Sequence, residues 1–139
     1  KYAVPHLKKR GGSIIVTASI NGTRVFSNSG ATAYASTKAA QVAMVKMLAL
    51  ELAEHKIRVN VVCPGAIETE IQDNTDDSGV EGLGVPVEFP EGWHPLRGDA
   101  GKADQIARVV VFLASHDADH ITGTEMYIDG GESLLGING

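Results

Sequence analysis

A tyrosine and a lysine one helical turn apart are the first residues of this chain whose spacing suggests chemistry. Tyr34 and Lys38 stand four positions apart in the stretch YASTK, within a run of small residues. On a helix, side chains at this spacing share one face. An ammonium beside a phenol favours the phenolate, so the pair could exchange a proton with a reacting alcohol or carbonyl. The same spacing also occurs by chance in surface pairs that have no chemical role.

Two predicted strand ends bring further polar positions toward that pair. The apolar, β-branched run SIIVTAS, residues 13–19, predicts a buried strand ending in Ser19. The run KIRVNVVCPG, residues 56–65, predicts a second strand that Pro64 and Gly65 terminate. Open α/β sheets bind ligands at the carboxyl ends of their strands, so the serine hydroxyl could hold a substrate oxygen. The alternative is a serine that bonds only backbone and a Pro-Gly pair that only ends a strand.

The rest of the pattern predicts an α/β fold with a parallel sheet. Helices are predicted over 31–55 and 102–118, and a third strand over 123–131. Alternating strands and helices indicate right-handed βαβ units. Residues 66–101 are rich in proline, glycine and acids. A connection of this length predicts a lid or binding loop that could close over a substrate, or else a disordered segment.

Composition narrows the class of protein. The chain has 139 residues, 43% of them hydrophobic, and a net charge of −5 with both signs interleaved, which argues against a nucleic-acid partner. No apolar run approaches the length of a membrane span, and no signal peptide is visible, so we expect a cytoplasmic protein without a membrane partner. Cys63 is the one cysteine and the five histidines lack ligand spacing, so no metal site is expected.

The start at Lys1, in what reads as the tail of a helix, suggests a piece of a longer chain.

Four motifs in order resemble the C-terminal half of the short-chain dehydrogenases/reductases. GGSIIVTASINGT is similar to the family's strand that ends in a catalytic serine, and YASTK matches its Tyr-x-x-x-Lys motif. KIRVNVVCPGAIET is similar to the block that ends in Pro-Gly and a later threonine. DQIARVVVFLASHDADHITGTEMYIDGG resembles its closing helix, turn and strand. The resemblance implies that residues 1–139 are the C-terminal, catalytic part of one NAD(P)-binding domain, a Rossmann-like doubly wound parallel sheet with about three strands and two main helices here.

The resemblance implies a role for each matching position. Tyr34 would be the general acid/base, Lys38 would lower the pKa of the phenol and bind the nicotinamide ribose, and Ser19 would orient the substrate oxygen. The loop between Ser19 and Tyr34 is slightly longer than is usual in the family, so Ser27 and Ser29 stay alternatives for the serine. The further cofactor-binding positions implied are Thr17, Pro64, Gly65, Ile67 and Thr69.

The function implied is an NAD(P)-dependent oxidoreductase that interconverts a small alcohol and its ketone or aldehyde by hydride transfer. The phosphate-binding loop, the residue that chooses NAD or NADP and the family's catalytic asparagine would all lie in an N-terminal half absent from this chain. We therefore expect that half as a partner, and little turnover by these residues alone. The first long predicted helix is apolar on more than one face, and members of the family commonly assemble by helix packing. The resemblance therefore implies a homodimer or homotetramer.

Two alternatives remain open from the residues. One is a non-catalytic protein of the same fold that serves binding or assembly. The other, which we rank lower, is a relative that acts on nucleotide sugars, such as an epimerase or dehydratase, since these enzymes also use Tyr-x-x-x-Lys. The chain leaves little room after the last predicted strand for the substrate domain that such a relative would need.

Overall fold

The computed structural model describes residues 2–27, 30–71, 75, 78, 79, 82, 84 and 94–135, and these form three α-helices and five β-strands. In chain order the elements are α1 (Val4–Leu7), β1 (Gly12–Thr17), α2 (Thr32–Glu51), β2 (Ile57–Pro64), β3 (Ile67–Glu68), β4 (Gly101–Lys102), α3 (Ala103–Ala114) and β5 (Glu125–Ile128). Three short 3-10 helices follow α2, α3 and β5, at Ala53–His55, His116–Ala118 and Glu132–Leu134. The predicted α/β fold is confirmed.

The central sheet is parallel and has the strand order β1-β2-β5. Gly12 pairs with Ile57 at one end of the sheet, and Pro64 pairs with Ile128 at the other. Because the three strands run the same way, all their carboxyl ends meet at one edge. That edge is where the predicted site residues lie.

Helices cover both faces of the sheet, so β2 is buried on both sides. Its successive side chains alternate between the faces, which explains why its sequence is apolar without alternation. The face toward α2 is packed by Ala18, Val42, Val45, Ala49, Leu52, Ile57, Val59, Val61 and Cys63. The face toward α3 is packed by Val62, Leu113 and Ala118, with Ile106, Val109, Val110, Met126 and Ile128 partly buried around them.

Two polar side chains of β2 are satisfied by the segment around α3. The fully buried Asn60 donates to the carbonyl of Ile121 at 2.8 Å and accepts from the Thr124 amide at 3.1 Å. Arg58 donates to the carbonyls of Leu113 at 2.7 Å and Ser115 at 3.0 Å. The arginine thereby satisfies carbonyls that the end of a helix leaves without partners.

Element bounds differ from the sequence prediction in ways that affect the site. β1 ends at Thr17, so Ser19 lies two residues beyond the strand, although the amides of Ala18 and Ile20 still donate to carbonyls of β2 and its end. The predicted helix over 31–55 is an α-helix that ends at Glu51 and a separate 3-10 turn, which ends where Lys56 adopts a left-handed conformation with φ of 56°. Much of the predicted lid, 66–101, lies outside the described residues. The part that is described includes the parallel pair β3 and β4, which we did not predict.

A chain of polar contacts crosses the α2 face of the sheet. The Lys46 ammonium lies 2.5 Å from one oxygen of Glu125, and the Tyr127 hydroxyl donates to the other at 2.6 Å. The guanidinium carbon of Arg24 lies 3.5 Å from the centroid of the Tyr127 ring, and Arg24 also donates to Ser133 at 3.4 Å. The middle of α2 is thus connected through β5 to the loop that follows Ser19.

This network predicts a pH-dependent contribution to stability. The hydrogen bond from Lys46, and next that from Tyr127, hold the pKa of Glu125 below its usual value, while partial burial acts in the opposite direction. A carboxyl group with a lowered folded-state pKa stabilises the fold above its unfolded pKa of about 4.3, and this contribution is lost as the pH falls through the folded value. We therefore expect Glu125→Gln to be less stable than the parent at pH 7, with the difference shrinking below about pH 4.3.

Urea unfolding across this pH range measures the effect. Glu51→Gln, at an exposed position on α2, is the control and should follow the parent curve at every pH. A difference between the parent and Glu125→Gln that stayed constant from pH 7 into acid would contradict the assignment.

Candidate active site

The amino-terminal part of α2 crosses the carboxyl edge of the sheet, and a hydrogen bond joins the two. Lys38 donates from Nζ to the main-chain carbonyl of Thr17 at 3.0 Å. Burial of Val42, Val45 and Ala49 against the sheet orients the helix, because these positions recur along one side of it. The ammonium is therefore held at the end of β1, where the sequence predicted that a ligand would bind.

Tyr34 lies one turn before Lys38, and the two side chains are neighbours, as their spacing predicted. The ammonium nitrogen is 5.5 Å from the centroid of the tyrosine ring. The tyrosine is 43% exposed, and its hydroxyl has no hydrogen-bond partner among the described residues. An ammonium offers three donors, and the contact with Thr17 occupies one of them. The pair thus presents a phenol and available ammonium donors at the same edge.

Ser19 lies at the same edge but makes the local contact that the alternative interpretation predicted. It is 8% exposed, and its Oγ accepts the amide of Asn21 at 3.1 Å. The Thr23 hydroxyl donates to the carbonyls of Ser19 and Ile20, which folds the start of this loop onto itself. Within the described contacts, no hydrogen bond joins Ser19 to Tyr34. The serine hydroxyl keeps its own proton for donation, and its substrate-orienting role stays a prediction.

The two alternative serines have different outcomes. Ser27 Oγ is buried and has no hydrogen-bond partner in the part of the chain that the structure describes. Ser29 lies outside the described residues. Ser19 therefore remains the preferred candidate, since it follows directly from the end of β1.

The turn after β2 holds the other predicted cofactor positions. Pro64 ends the strand, and the amide of Gly65 donates to the carbonyl of Ile128 at 3.1 Å. Ile67 begins the short strand β3, and Thr69 follows it, exposed, with its hydroxyl oxygen 3.4 Å from the amide of Ile71. The structure places Pro64, Gly65 and Ile67 at the edge that also carries Thr17, while Thr69 lies on the segment leaving it. Their cofactor contacts stay predictions.

A cavity of about 530 Å³ lies beside this turn. Residues from three segments line it, among them Ile67, His94, Gln105 and Gly131. Its described walls include neither Tyr34 nor Ser19. The cavity therefore adjoins the Pro64–Ile67 side of the edge rather than the tyrosine.

One glycine sets the distance between the loop after Ser19 and the helix that carries Tyr34. Gly22 has φ of +84°, and a Cβ built on it would lie 2.2 Å from the carbonyl oxygen of Ala35. The backbone of the loop thus packs directly against the first turn of α2. Both the positive φ and the missing side chain are required for this approach.

Cys63 is a packed core residue. It is fully buried on the α2 face of the sheet. Burial, and next the charge of Glu125, raise the pKa of its thiol to about 11. A thiol with a raised pKa is a weak nucleophile near neutral pH, so its role here is packing.

The described part of the chain contains neither a helix suited to a membrane nor a cluster of metal ligands. No helix there is both long enough and apolar enough to cross a bilayer. No group of three or more His, Cys, Asp or Glu side chains there is arranged to hold a metal ion.

Comparison with known proteins agrees with this architecture. Residues 1–133 match a family model described as enoyl-(acyl carrier protein) reductase. The 3-oxoacyl-[acyl-carrier-protein] reductase of Thermotoga maritima is 39% identical over 132 residues, which cover 94% of this chain and 50% of that protein. The oxidoreductase UcpA of Salmonella typhimurium is 37% identical over 141 residues, covering 96% of this chain and 51% of that protein.

Solved structures give the same result. A 3-ketoacyl-ACP reductase from Sinorhizobium meliloti is 52% identical with a TM-score of 0.85, covering 96% of this chain and 53% of that one. An acetoin dehydrogenase from Salmonella typhimurium is 34% identical with a TM-score of 0.75, covering 98% of this chain and 51% of that one. The chain belongs to the short-chain dehydrogenase/reductase family. It spans about half the length of the curated relatives that it matches.

Sequence reasoning missed the residues that hold the site's loops together. Glu132 accepts the amide of Ala66 at 2.8 Å, and His94 Nδ1 lies 3.9 Å from the same carboxylate oxygen. Arg24, in the loop after Ser19, contacts Tyr127 and Ser133. These residues are far apart in the sequence and belong to no shared pattern, so nothing local indicated that they would meet.

The contact at Gly22 yields a paired prediction. Gly79 has nearly the same φ, +85°, but a Cβ there meets no atom of the described residues within 4 Å. Gly79→Ala should lower the free energy of unfolding by about 1–2 kcal/mol, which is the cost of an alanine in a left-handed backbone conformation. Gly22→Ala should cost that amount and about 1–3 kcal/mol more, because the methyl group forces the loop away from α2. Urea unfolding of both variants measures the difference, and equal losses would contradict the close contact.

Proposed function

We propose that the protein containing this chain is an NAD(P)-dependent oxidoreductase that interconverts a small alcohol and its ketone or aldehyde. The observation that carries the proposal is the Lys38 ammonium, held by the Thr17 carbonyl beside the exposed Tyr34 at the carboxyl edge of a parallel sheet. Relatives named as a 3-oxoacyl-[acyl-carrier-protein] reductase, a 3-ketoacyl-ACP reductase and an acetoin dehydrogenase support it.

Tyr34 is the proton donor in the direction of reduction. Its hydroxyl gives a proton to the carbonyl oxygen as the alcohol forms, and in the reverse direction the phenolate takes the alcohol proton. The Lys38 ammonium nitrogen lies 5.5 Å from the centroid of the same ring, so a positive charge stands beside the reacting group. The Ser19 hydroxyl donates a hydrogen bond to the same substrate oxygen and so orients it. A bound nicotinamide supplies or accepts the hydride, which is chemistry that no side chain provides.

The exposed polar groups at the edge fit a nicotinamide nucleotide. Lys38 has two donors besides the one used by Thr17, and these suit the hydroxyls of a ribose. Pro64, Gly65 and Ile67 are partly exposed and would line the nicotinamide pocket, and the exposed Thr69 hydroxyl suits its carboxamide or phosphate. Thr17, exposed at the end of β1, would contact the nicotinamide side. The cofactor is NAD or NADP, and an N-terminal half, proposed as a partner of these residues, would bind its adenosine end.

The protein is further proposed to assemble as a homodimer or homotetramer through α2. The side of this helix that faces away from the sheet carries Met44, Met47 and Leu50, and Leu50 is 80% exposed. Large apolar side chains grouped on one helix face are typical of a subunit interface. A two-fold axis would bring two copies of this face together.

Removal of the Tyr34 hydroxyl tests the catalytic proposal in the full-length protein. Tyr34→Phe should lower kcat by about 10²–10⁴-fold, the usual contribution of a positioned acid or base. The dissociation constant of the cofactor should change little, because the ring is kept. Steady-state kinetics with a reducible ketone and a fluorescence titration with NADH and NADPH measure the two quantities.

The matched control for this variant is Tyr2→Phe, which removes the hydroxyl of a tyrosine that is 87% exposed and distant in sequence. It should keep the parent kcat. A Tyr34→Phe protein that reduced the ketone at the parent rate would refute the proton-transfer role.

A charge on the exposed face of α2 tests the assembly. Met47→Glu should shift the protein toward a smaller oligomer, because burying an unpaired carboxylate in an apolar interface costs several kcal/mol. Met47→Leu keeps the face apolar and should keep the parent mass. Light scattering coupled to size exclusion measures both, and an unchanged mass for Met47→Glu would show that α2 is not the interface.

A further inference from the structure

The turn that follows β5 contacts three separate segments of the candidate site. The amide of Leu96, at the described end of the predicted lid, donates to the carbonyl of Gly130 at 3.1 Å. Arg24, in the loop after Ser19, donates to Ser133 at 3.4 Å. The third contact is made by Glu132 with the turn after β2.

The turn after β5 is stabilised by hydrogen bonds within itself. The carboxylate of Asp129 accepts the amides of Gly131 at 3.1 Å and Ser133 at 3.0 Å. Partial burial raises the pKa of Asp129, but the hydrogen bonds from Ser133 and Gly131 outweigh it, so the pKa stays below its usual value. Asp129 is therefore charged at neutral pH and holds the backbone that presents Glu132.

Glu132 reaches from this turn to the backbone after β2. Its side chain is 12% exposed, and its Oε2 accepts the amide of Ala66 at 2.8 Å. A Cβ built on Gly65 would lie 2.6 Å from this same oxygen. The glycine therefore leaves the space that the carboxylate occupies. A carboxylate that accepts a backbone amide in a largely buried position makes a stronger bond than a neutral acceptor.

The contact falls between two positions proposed to bind the cofactor. Ala66 lies between Gly65 and Ile67, so fixing its amide fixes the plane of the peptide that joins it to Gly65. Both neighbours lie at the edge at which the nicotinamide is proposed to bind. A change in this peptide plane would move the cofactor pocket without touching Tyr34, Lys38 or Ser19.

We propose that Glu132 is a positioning residue, which holds the Gly65–Ile67 backbone in the conformation that binds the nicotinamide end of NAD(P). The inference rests on the proposed function, since it assigns that turn to the cofactor. Glu132 acts through Ala66 and contacts no reacting atom. Its influence therefore falls on cofactor affinity and leaves proton transfer by Tyr34 intact.

Three substitutions in the full-length protein separate this role from simple stabilisation. Glu132→Leu removes the acceptor at similar size and should raise the KM and the dissociation constant of NADH or NADPH about tenfold, as expected for losing a hydrogen bond to a charged group. Glu132→Asp keeps the charge but withdraws it by one methylene and should weaken cofactor binding in the same direction. Glu132→Gln keeps an acceptor oxygen in place and should stay within about threefold of the parent. The KM of the carbonyl substrate should change little in all three.

Glu54→Gln is the matched control, because Glu54 also lies beside a histidine, His55, at 3.4 Å, but accepts no described backbone amide. It should leave the dissociation constant and the melting temperature at parent values. Fluorescence titration, steady-state kinetics and thermal unfolding are measured for every variant. If Glu132→Leu fails to fold, the comparison of Asp with Gln carries the test.

The outcomes distinguish failure of the positioning role from failure of the proposed function on which it rests. Cofactor affinities equal to the parent in the Leu and Asp variants, with or without a lower melting temperature, would overturn the positioning role and leave the proposed function standing. Equal weakening by Gln and Leu would also overturn it, since the acceptor oxygen would then not matter. A parent protein that binds neither NADH nor NADPH overturns the proposed function, and this inference with it.

Discussion

The hydrogen bond from Lys38 to the Thr17 carbonyl is the contact on which the candidate site depends. It joins the end of β1 to α2, and its donor is charged, which makes the hydrogen bond stronger than one between neutral groups. It forms because the apolar side of α2 is packed against the sheet by residues such as Val45. That packing sets the distance of α2 from the sheet, and the hydrogen bond sets the position of the ammonium. Tyr34 lies one helical turn before Lys38, so its position follows from both.

Much of this arrangement was accessible from sequence because its determinants are local. The period of the apolar residues identifies α2 and α3, the β-branched runs identify the main strands, and a spacing of four places Tyr34 beside Lys38. The Ser19 interpretation depended on where β1 ends, and strand ends are poorly encoded because the last hydrogen bonds depend on the partner strand.

The parts that sequence did not reveal are contacts between distant segments. Glu132 and Ala66 are 66 residues apart, and a single carboxylate carries no information about which amide it will meet. The pair β3 and β4 has two residues in each strand, too few for any periodicity. In both cases the tertiary structure chooses the partner after the sheet and its helices are in place. The sequence thus predicts the sheet edge, but it does not predict the contacts that fix the loops at that edge.

The contact of Gly22 with Ala35 restricts where the active-site loop can change length during evolution. Between Ser19 and this glycine the backbone is fixed at both ends, by the sheet edge and by the helix. An insertion there would displace the serine from the tyrosine. Residues added or lost after Val25 leave this contact, and those of Arg24 with Tyr127 and Ser133, in place. The extra length that the sequence indicates for this loop would therefore fall after Val25, where it leaves the packing of Gly22 against Ala35 unchanged.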